Sequence, residues 1–458
     1  MKKLIALLLA LVMVLSLVAC GSSRDDNWDD DDDDRYEERE DEDEEDEDDA
    51  EDSDGEGFNI WENSEEAPAL DLPSEMQTTF DLVDSGDILL QITDIDPNGD
   101  WGYTLTVYCE NNTDQNLAFD MQDVAVNGRM CDPYWYTEVD AGTSAYEEII
   151  FYEEDLDLCG VKQITGIQFR LLVYDQENWG DNYLVDEVFE IFPYGPEYYI
   201  PATYTPKKDH TVLFDTQECF MSVVDMDPDS DWGFTMTLYC ENRTLEKQTF
   251  SMDIVSVNGL MCDPYFYDQV IGGCSGMYEV IWYSDNLEEL GIGQFNDISF
   301  TMSVYEGDDY DYESVPLVQD DFTLYPSGDN TAKPYEHDFD GSEILVWEDD
   351  NIAMYILEGG PDYDWGYSRY ILVTNKTDTH LDVYARDMWV NGYGCDAYWS
   401  TFVAAGKSCI SPMTWYTSDL EAWGITEVEL VEFRLEVYNA IDWYADALLC
   451  EDVAVNLT

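Results

Sequence analysis

The sequence predicts an all-β chain made of three tandem β-sandwich domains. The first observation is a repeat, in which an Asp-Trp-Gly motif occurs three times with separations of 131 and 133 residues: Trp101, Trp232 and Trp365. A Val-Asn-Gly motif recurs with the same two separations: Asn127, Asn258 and Asn391. The second observation is the alternation of apolar and polar residues between frequent turn signals, which is typical of short sandwich strands. A unit of about 130 residues is long enough to bury its own core.

The N-terminal residues 1–20 have the form of a secretory signal. Two lysines precede an apolar run over residues 4–18, which is too short for a transmembrane helix. The run ends in Leu-Val-Ala-Cys-Gly at residues 17–21, which resembles the lipobox of bacterial lipoproteins. The resemblance implies that Cys20 becomes the mature N-terminus and carries a diacylglyceryl group. The chain is then expected to be anchored in the membrane by lipid, at the outer face of the cell membrane.

Residues 21–66 are predicted to form a disordered acidic tether. The segment 25–56 alone holds 24 acidic residues and two arginines, and it has almost no apolar content. Such a composition cannot bury a core, and self-repulsion extends the chain.

The rest of the chain is also strongly acidic. Of the total formal charge of −86, the segment 25–56 supplies −22, so that residues 57–458 carry −67 once the three N-terminal cations are set aside. This charge repels phosphate backbones, and it excludes nucleic acid as an expected partner. Solubility and mutual repulsion are the simpler explanation of the charge, and affinity for cationic partners is the alternative.

Module 1, residues 67–195, contains the first set of expected strands: 79–83, 88–95, 103–109, 117–126, 134–139, 146–152, 167–173 and 183–191. Asn127-Gly128 predicts a type I′ hairpin turn, because both residues tolerate positive φ. Residues 155–160 suggest a single helical turn. Module 2, residues 207–327, and module 3, residues 338–458, repeat this order. Proline-containing spacers are expected at 194–208 and 326–340.

With this strand pattern behind a lipobox, the chain resembles surface lipoproteins of Gram-positive bacteria that carry tandem immunoglobulin-like repeats. The resemblance covers residues 1–20 through the lipobox and residues 77–458 through the strand pattern. It implies an immunoglobulin-like β-sandwich for each module and a place at the cell surface. The modules lack the spaced Cys…Trp…Cys signature of antibody domains.

Aromatic residues are the first candidates for a binding site. The repeated turn tryptophans and an aromatic pair on a strand of each module are the expected contacts: Trp101, Tyr134, Trp135, Trp232, Tyr265, Phe266, Trp365, Tyr398 and Trp399. Exposed ring pairs on a β-sandwich could stack on sugar faces. The alternative is that one ring of each pair packs in the core and the tryptophan caps the sandwich.

Acidic residues before the Asp-Trp-Gly turns suggest calcium as a candidate cofactor. Oxygen-bearing side chains at alternate positions resemble the opening of a calcium-binding loop in modules 1 and 2: Asp94, Asp96, Asn98, Asp100, Asp225, Asp227, Asp229 and Asp231. The bidentate glutamate that closes such a loop is missing, since Leu105 occupies that position. The alternative is a polar hairpin turn.

Ten cysteines follow Cys20, an even number that favours disulfides outside the cytoplasm. The expected pairs are Cys262–Cys274 and Cys395–Cys409, which would cross the same hairpin in modules 2 and 3. Buried reduced thiols are the alternative.

The sequence does not predict a catalytic site. The three histidines do not recur between modules, so that no Ser-His-Asp unit or histidine metal cluster is indicated: His210, His337 and His380. Three Asn-x-Thr sequons recur at one strand end and are attributed to turn chemistry: Asn111, Asn242 and Asn375.

We therefore expect a lipid-anchored surface protein that is not an enzyme and that binds a glycan or a cell-surface protein. A structural spacer without a specific ligand is the first alternative. A hydrolase with an unrecognised carboxylate pair is the second.

Overall fold

The computed structural model describes residues 72–178, 183–307, 314–328, 334–360, 365–441 and 445–457. The predicted signal, Cys20 and the predicted tether lie outside these residues. The fold is all-β, as predicted, with 55% strand and 6% helix. No helix in the described ranges is long and apolar enough to span a bilayer.

The described part of module 1 contains nine strands and a six-residue helix: β1 (Phe80–Asp84), β2 (Ile88–Gly99), β3 (Gly102–Asn111), β4 (Leu117–Val126), β5 (Arg129–Met130), β6 (Tyr136–Val139), β7 (Thr143–Tyr152), α1 (Glu153–Leu158), β8 (Ile167–Asp175) and β9 (Val185–Ile191). Strands β1-β2-β3-β7 form a front sheet, and β5-β4-β8-β9, with β6 paired to β4, form a back sheet.

Module 2 repeats this order: β10 (Thr211–Asp215), β11 (Cys219–Ser230), β12 (Gly233–Asn242), β13 (Gln248–Val257), β14 (Leu260–Met261), β15 (Phe266–Val270), β16 (Ser275–Tyr283), α2 (Ser284–Glu289), β17 (Ile298–Glu306) and β18 (Val318–Leu324). Its front sheet is β10-β11-β12-β16, and its back sheet contains β14, β13, β17, β18 and β15.

Module 3 has the same elements: β19 (Ile344–Glu348), β20 (Ile352–Ile356), β21 (Gly366–Asn375), β22 (Leu381–Val390), β23 (Tyr393–Gly394), β24 (Ser400–Val403), β25 (Ser408–Tyr416), α3 (Thr417–Ala422), β26 (Leu430–Asn439) and β27 (Leu449–Asn456). The front sheet is β19-β20-β21-β25. The back sheet is β23-β22-β26-β27, with β24 paired to β22.

Each module has a separate apolar core between its two sheets, built from the inward-facing residues of the alternating strands. Phe119 and Phe151 are fully buried in module 1, as Trp282 and Phe250 are in module 2. The predicted Asn127-Gly128 turn has positive φ at both residues, 53° and 76°, as a type I′ turn requires. Burial of these alternating faces is the main favourable term in the folding of each module.

A buried asparagine ties the end of the front sheet to the neighbouring loop in every module. In module 2, Asn242 Nδ2 donates to Glu246 O at 2.7 Å and to Val270 O at 2.8 Å. Its Oδ1 accepts from Thr244 N at 2.9 Å and from Thr244 Oγ1 at 2.8 Å. The same pattern occurs around Asn111 and Asn375. The Asn-x-Thr motif is therefore a structural cross-link, and its amide nitrogen is buried.

Consecutive modules share continuous sheets, which the sequence did not predict. At the first junction, β5 of module 1 pairs in parallel with β16 of module 2, and Ser275 N donates to Gly128 O at 3.0 Å. At the second junction, β14 pairs in parallel with β25, and Ser408 N donates to Gly259 O at 3.0 Å. The back sheet of one module thereby continues into the front sheet of the next.

Aromatic stacking covers the outer face of module 2 at the first junction. Tyr204, from the segment between the modules, stacks on Tyr239 at a centroid distance of 3.8 Å. The guanidinium of the fully buried Arg129 lies 4.9 Å from the centroid of the Tyr239 ring. Burial lowers the pKa of Arg129, and the nearby Tyr239 opposes that change. This cation–π contact fixes β5 against the next module.

The segment expected to be a spacer after module 1 packs across the junction. Ala202 N donates to Asn127 O at 2.7 Å, and Ile200 N donates to Thr165 Oγ1 at 2.9 Å. The prolines limit the conformations of this segment, but these hydrogen bonds hold it against module 1.

We predict that Asn242→Ala lowers the free energy of unfolding by about 2–4 kcal/mol, because it leaves the carbonyls of Val270 and Glu246 without their buried donor. Urea unfolding measures the effect. The matched control is Asn112→Ala, at an exposed asparagine, with an expected change within about 0.5 kcal/mol. Equal effects of the two variants would contradict the role of the buried amide.

We also predict a pH-dependent contribution from Asp268, which burial brings to a pKa of about 7. The folded state retains the proton more tightly than the unfolded chain, so this residue lowers stability as pH rises from about 4 through 7. Asp268→Asn should therefore stabilise the chain by about 2–3 kcal/mol more at pH 8 than at pH 5.

Urea unfolding at the two pH values tests this prediction. The control is Asp157→Asn, at an exposed position on α1. A stabilisation by Asp268→Asn that is the same at both pH values would contradict the prediction.

Candidate functional site

The three turn tryptophans are exposed at one end of each front sheet. The exposed fractions are 68% for Trp101, 54% for Trp232 and 50% for Trp365. Each ring precedes the glycine that starts the third strand of its module. A Cβ at Gly102 would lie 2.2 Å from Phe151 O, and its φ is +140°. Gly233 has a similar close approach to Trp282 O and a φ of +137°, so that modules 1 and 2 require glycine at this position.

A tyrosine that the sequence interpretation missed lies opposite each of these glycines. The cross-strand pairs are Gly102 with Tyr152, Gly233 with Tyr283, and Gly366 with Tyr416. All three tyrosines are exposed, and they recur with the separations of 131 and 133 residues. The same repeat test that found the tryptophans could have found them.

We define the Trp–Tyr platform of each module as one turn tryptophan and its adjacent tyrosine: Trp101 with Tyr152, Trp232 with Tyr283, and Trp365 with Tyr416. In module 3 the two ring centroids are 5.4 Å apart with an interplanar angle of 32°. Backbone hydrogen bonds hold the tryptophan turn against the end of the last front strand in modules 2 and 3, since Thr417 N donates to Trp365 O and Ser284 N donates to Trp232 O, both at 2.9 Å.

The inner ring of each predicted strand pair is buried in the core, and Trp135 also lines a small groove in module 1. Trp135, Phe266 and Trp399 are buried in the three cores. This corrects their proposed role as ligand-binding aromatics. The side chains alternate across each strand, so that one ring of a consecutive pair faces inward. The alternative interpretation, with one ring in the core, therefore describes these pairs.

The outer ring of each pair is exposed and has an unusual backbone. The φ angles of Tyr134, Tyr265 and Tyr398 are 50°, 57° and 49°. Each amide donates 2.8 Å to the Oδ1 of the aspartate two residues earlier. A left-handed tyrosine costs about 1–3 kcal/mol, which the surrounding structure must supply.

A small groove of about 190 Å³ lies beside this tyrosine in module 1. Tyr134, Tyr136 and Tyr152 line it together with Glu147 and Glu148. It thus combines exposed rings with two carboxylates that can accept hydrogen bonds.

A larger cavity, of about 820 Å³, lies in module 2. Phe234 and Phe295, whose ring centroids are 3.9 Å apart, contribute to its lining. Asp225, Asp229 and Glu288 also line it. Burial raises the pKa of Asp225, and the nearby Asp227 adds to that effect.

The candidate calcium ligands lie in the β2–β3 and β11–β12 hairpins. Asp96 Oδ1 accepts from Asn98 N at 2.9 Å, and Asp227 Oδ1 accepts from Asp229 N at 2.9 Å. These are the contacts of polar turns. Within the described ranges, no group of three or more His, Cys, Asp or Glu side chains is arranged to hold a metal ion. Calcium binding stays a prediction.

The expected disulfides are not formed, and all ten thiols after Cys20 are free. Trp282, near the C-terminal end of β16, donates its Nε1 proton to Cys262 O at 3.0 Å, whereas Cys274 precedes the other end of that strand. Nine strand residues span about 30 Å, which no disulfide can bridge.

The same geometry separates Cys395 from Cys409. Cys395 N donates to Met388 O, and Met388 Sδ accepts from Trp415 Nε1 near the end of β25. Cys409 lies at the beginning of that strand. Both expected pairings were therefore wrong. The two cysteines of each pair are close in sequence, but they lie near opposite ends of a long strand.

Each histidine makes a structural contact. His210 Nδ1 lies 2.6 Å from Tyr204 Oη, His337 Nε2 lies 3.3 Å from Glu343 Oε1, and His380 Nδ1 accepts from Ala405 N at 3.2 Å. The three residues lie in different parts of the chain and do not form one constellation.

Comparison with known proteins does not assign a family. No protein-family model matches the chain, and no curated protein matches it significantly. The candidate site therefore rests on the structure: an exposed tryptophan and an exposed tyrosine lie at equivalent positions in each module, and the two rings are in contact in module 3.

Proposed function

We propose that this chain is a lipid-anchored surface protein that binds glycans without catalysis through its three Trp–Tyr platforms. The observation that carries the proposal is the recurrence of an exposed tryptophan and an exposed tyrosine at equivalent positions in all three modules. Large aromatic rings left at the surface forgo the stabilisation of burial, which favours a role in contact with a ligand. Tyrosine and tryptophan are also the residues that most often dominate binding energy.

The shape of the platform favours a sugar over a charged polymer. A pyranose ring presents flat patches of C–H groups that can lie against an indole or phenol face. Nearby carboxylates can accept hydrogen bonds from its hydroxyl groups, and Glu147 and Glu148 lie close to Tyr152 in module 1. The formal charge of −67 on residues 57–458 disfavours anionic polymers.

Three equivalent platforms on one chain support multivalent binding. A repetitive glycan that reaches two platforms turns the second contact into an intramolecular step, so that weak single contacts give a stronger overall affinity. Attachment through Cys20, which the lipobox resemblance implies, would present the platforms outside the cell.

The continuous sheets between modules favour a second candidate, a structural spacer. Backbone pairing at both junctions limits independent motion of the modules, which would suit an element that holds a fixed distance. The spacer role does not require exposed aromatic pairs, so the two candidates differ in their dependence on the tryptophans.

We predict that the triple variant Trp101→Ala, Trp232→Ala and Trp365→Ala loses glycan binding by about 100-fold or more, since each lost ring weakens its own contact about tenfold and avidity is lost as well. A broad glycan array, read with calcium and with chelator, identifies the ligand and also tests the calcium prediction. Titration of the best glycan then gives the affinity of each variant.

The matched control is Trp389→Ala, which removes a similarly exposed tryptophan that does not recur in the other modules. Its binding should equal that of the unmodified chain. An array that stays silent in both buffers would contradict glycan binding and favour the spacer, and equal losses in the control and the triple variant would contradict the platforms.

A further inference from the structure

The two module junctions show what covers the open edge of each kind of sheet. At both junctions a two-residue strand of one back sheet pairs with the last strand of the next front sheet. The amide that donates across the junction belongs to Ser275 in one case and to Ser408 in the other. The same backbone contact is therefore built twice within the chain.

The outer face of the receiving front sheet is apolar and buried at the first junction. Four residues form a small cluster there: Phe220, Val224, Tyr239 and Met277. Leu158, from the end of α1 in module 1, and Tyr204, from the connecting segment, pack against it. The preceding module thus supplies both a strand edge and an apolar side chain.

The equivalent face of module 1 has no such cover among the described residues. The repeat places Leu89, Thr93, Tyr108 and Tyr146 at the four positions of the cluster. Tyr146 is 68% exposed, whereas its counterpart Met277 is 4% exposed. Within the described sheet, strand β7 pairs only with β3. Ser144 of β7 is the counterpart of Ser275, and its outward amide therefore lies at an open edge of that sheet.

Module 3 carries the complementary open strand. In the described part of module 3, β23 pairs only with β22. Tyr393 occupies the position of Arg129 and Leu260, and Trp423 follows the position equivalent to Leu158. The two rings stack at a centroid distance of 5.5 Å and remain about half exposed. An apolar aromatic pair is thus presented where modules 1 and 2 contact their successors.

We propose that a second copy of this chain occupies these ends, so that β23 of one copy pairs in parallel with β7 of the next. The Ser144 amide of one copy would donate to the Gly392 carbonyl of the other, as Ser275 donates to Gly128 at the first junction. The Tyr393 and Trp423 rings would cover Leu89, Tyr108 and Tyr146. The interface joins different surfaces, and it therefore extends head to tail.

The net negative charge of the chain makes this assembly depend on ionic strength. Two strongly acidic molecules repel each other at low ionic strength, and salt screens this repulsion. The contact itself is made of backbone groups and aromatic rings, which salt does not weaken. Association should therefore strengthen as sodium chloride is raised from about 20 mM to about 500 mM.

The test uses two single-ended variants of the chain without residues 1–20, so that neither the apolar signal run nor an acyl group can drive assembly. Ser144→Pro removes the donor amide at one end, where an edge strand tolerates proline. Tyr393→Asp combined with Trp423→Asp blocks the other end with charge. Sedimentation velocity at high salt measures the species formed by each variant alone and by their mixture.

We expect the unblocked chain to form a concentration-dependent series of oligomers and each variant alone to be a monomer. The mixture should stop at a one-to-one dimer, because each variant keeps one working end. Formation of this dimer also shows that both variants are folded. Two control variants should assemble like the unblocked chain. Ser144→Ala keeps the donor amide. Ile441→Asp combined with Leu448→Asp adds the same charge at exposed positions elsewhere on module 3.

A chain that stays monomeric at about 1 mM in high salt would overturn the proposal, as would assembly of either variant alone. The outcome is independent of the glycan array, because the Trp–Tyr platforms are not altered in these variants.

Discussion

The parallel backbone pairing at the two junctions is the interaction on which the arrangement of the modules depends. One amide, of Ser275 or Ser408, donates to the carbonyl of a turn glycine in the preceding module. These contacts convert separate sandwiches into a continuous series of sheets, and they fix the connecting segment that packs beside them. The relative placement of the three platforms is consequently set by backbone hydrogen bonds as well as by the linkers.

Chemistry differs between the junctions although the backbone contact is the same. The first has the buried guanidinium of Arg129 over Tyr239, whereas the second has Leu260 at the equivalent position and a hydrogen bond from Lys407 Nζ to Ser299 Oγ at 3.0 Å. Burial lowers the pKa of Lys407, while the nearby Asp297 raises it. The side chains that cover the sheet edge therefore differ between the two junctions, and this difference favours one order of modules over another.

Much of the fold could be predicted from the sequence because strand alternation and turn chemistry are local. The positive φ of Asn127 and Gly128 follows from residue type, and the repeat separations identify equivalent elements. The burial of Trp135 could not be decided in advance, because two consecutive rings on a strand are indistinguishable until the core is known. Tyr152 recurs as Tyr283 and Tyr416 with the separations of the tryptophans, so the repeat alone indicates its equivalence, whereas its place opposite Gly102 depends on strand register.

The module junctions and the positions of the cysteines could not be predicted from the sequence, for a different reason. A two-residue strand such as β5 has no periodicity, and its partner lies about 150 residues away, so no local pattern indicates the pair. Cys262 and Cys274 are close in sequence but are placed near opposite ends of β16. Both features depend on the tertiary arrangement.

Hydrogen exchange at three equivalent serine amides tests the continuity of the sheets most directly. In a dilute solution of the chain without residues 1–20, the amides of Ser275 and Ser408 are expected to exchange at least about 100-fold more slowly than that of Ser144, because only the first two donate across a junction. Exchange of all three at one rate would contradict the shared sheets and would leave the modules as independent domains.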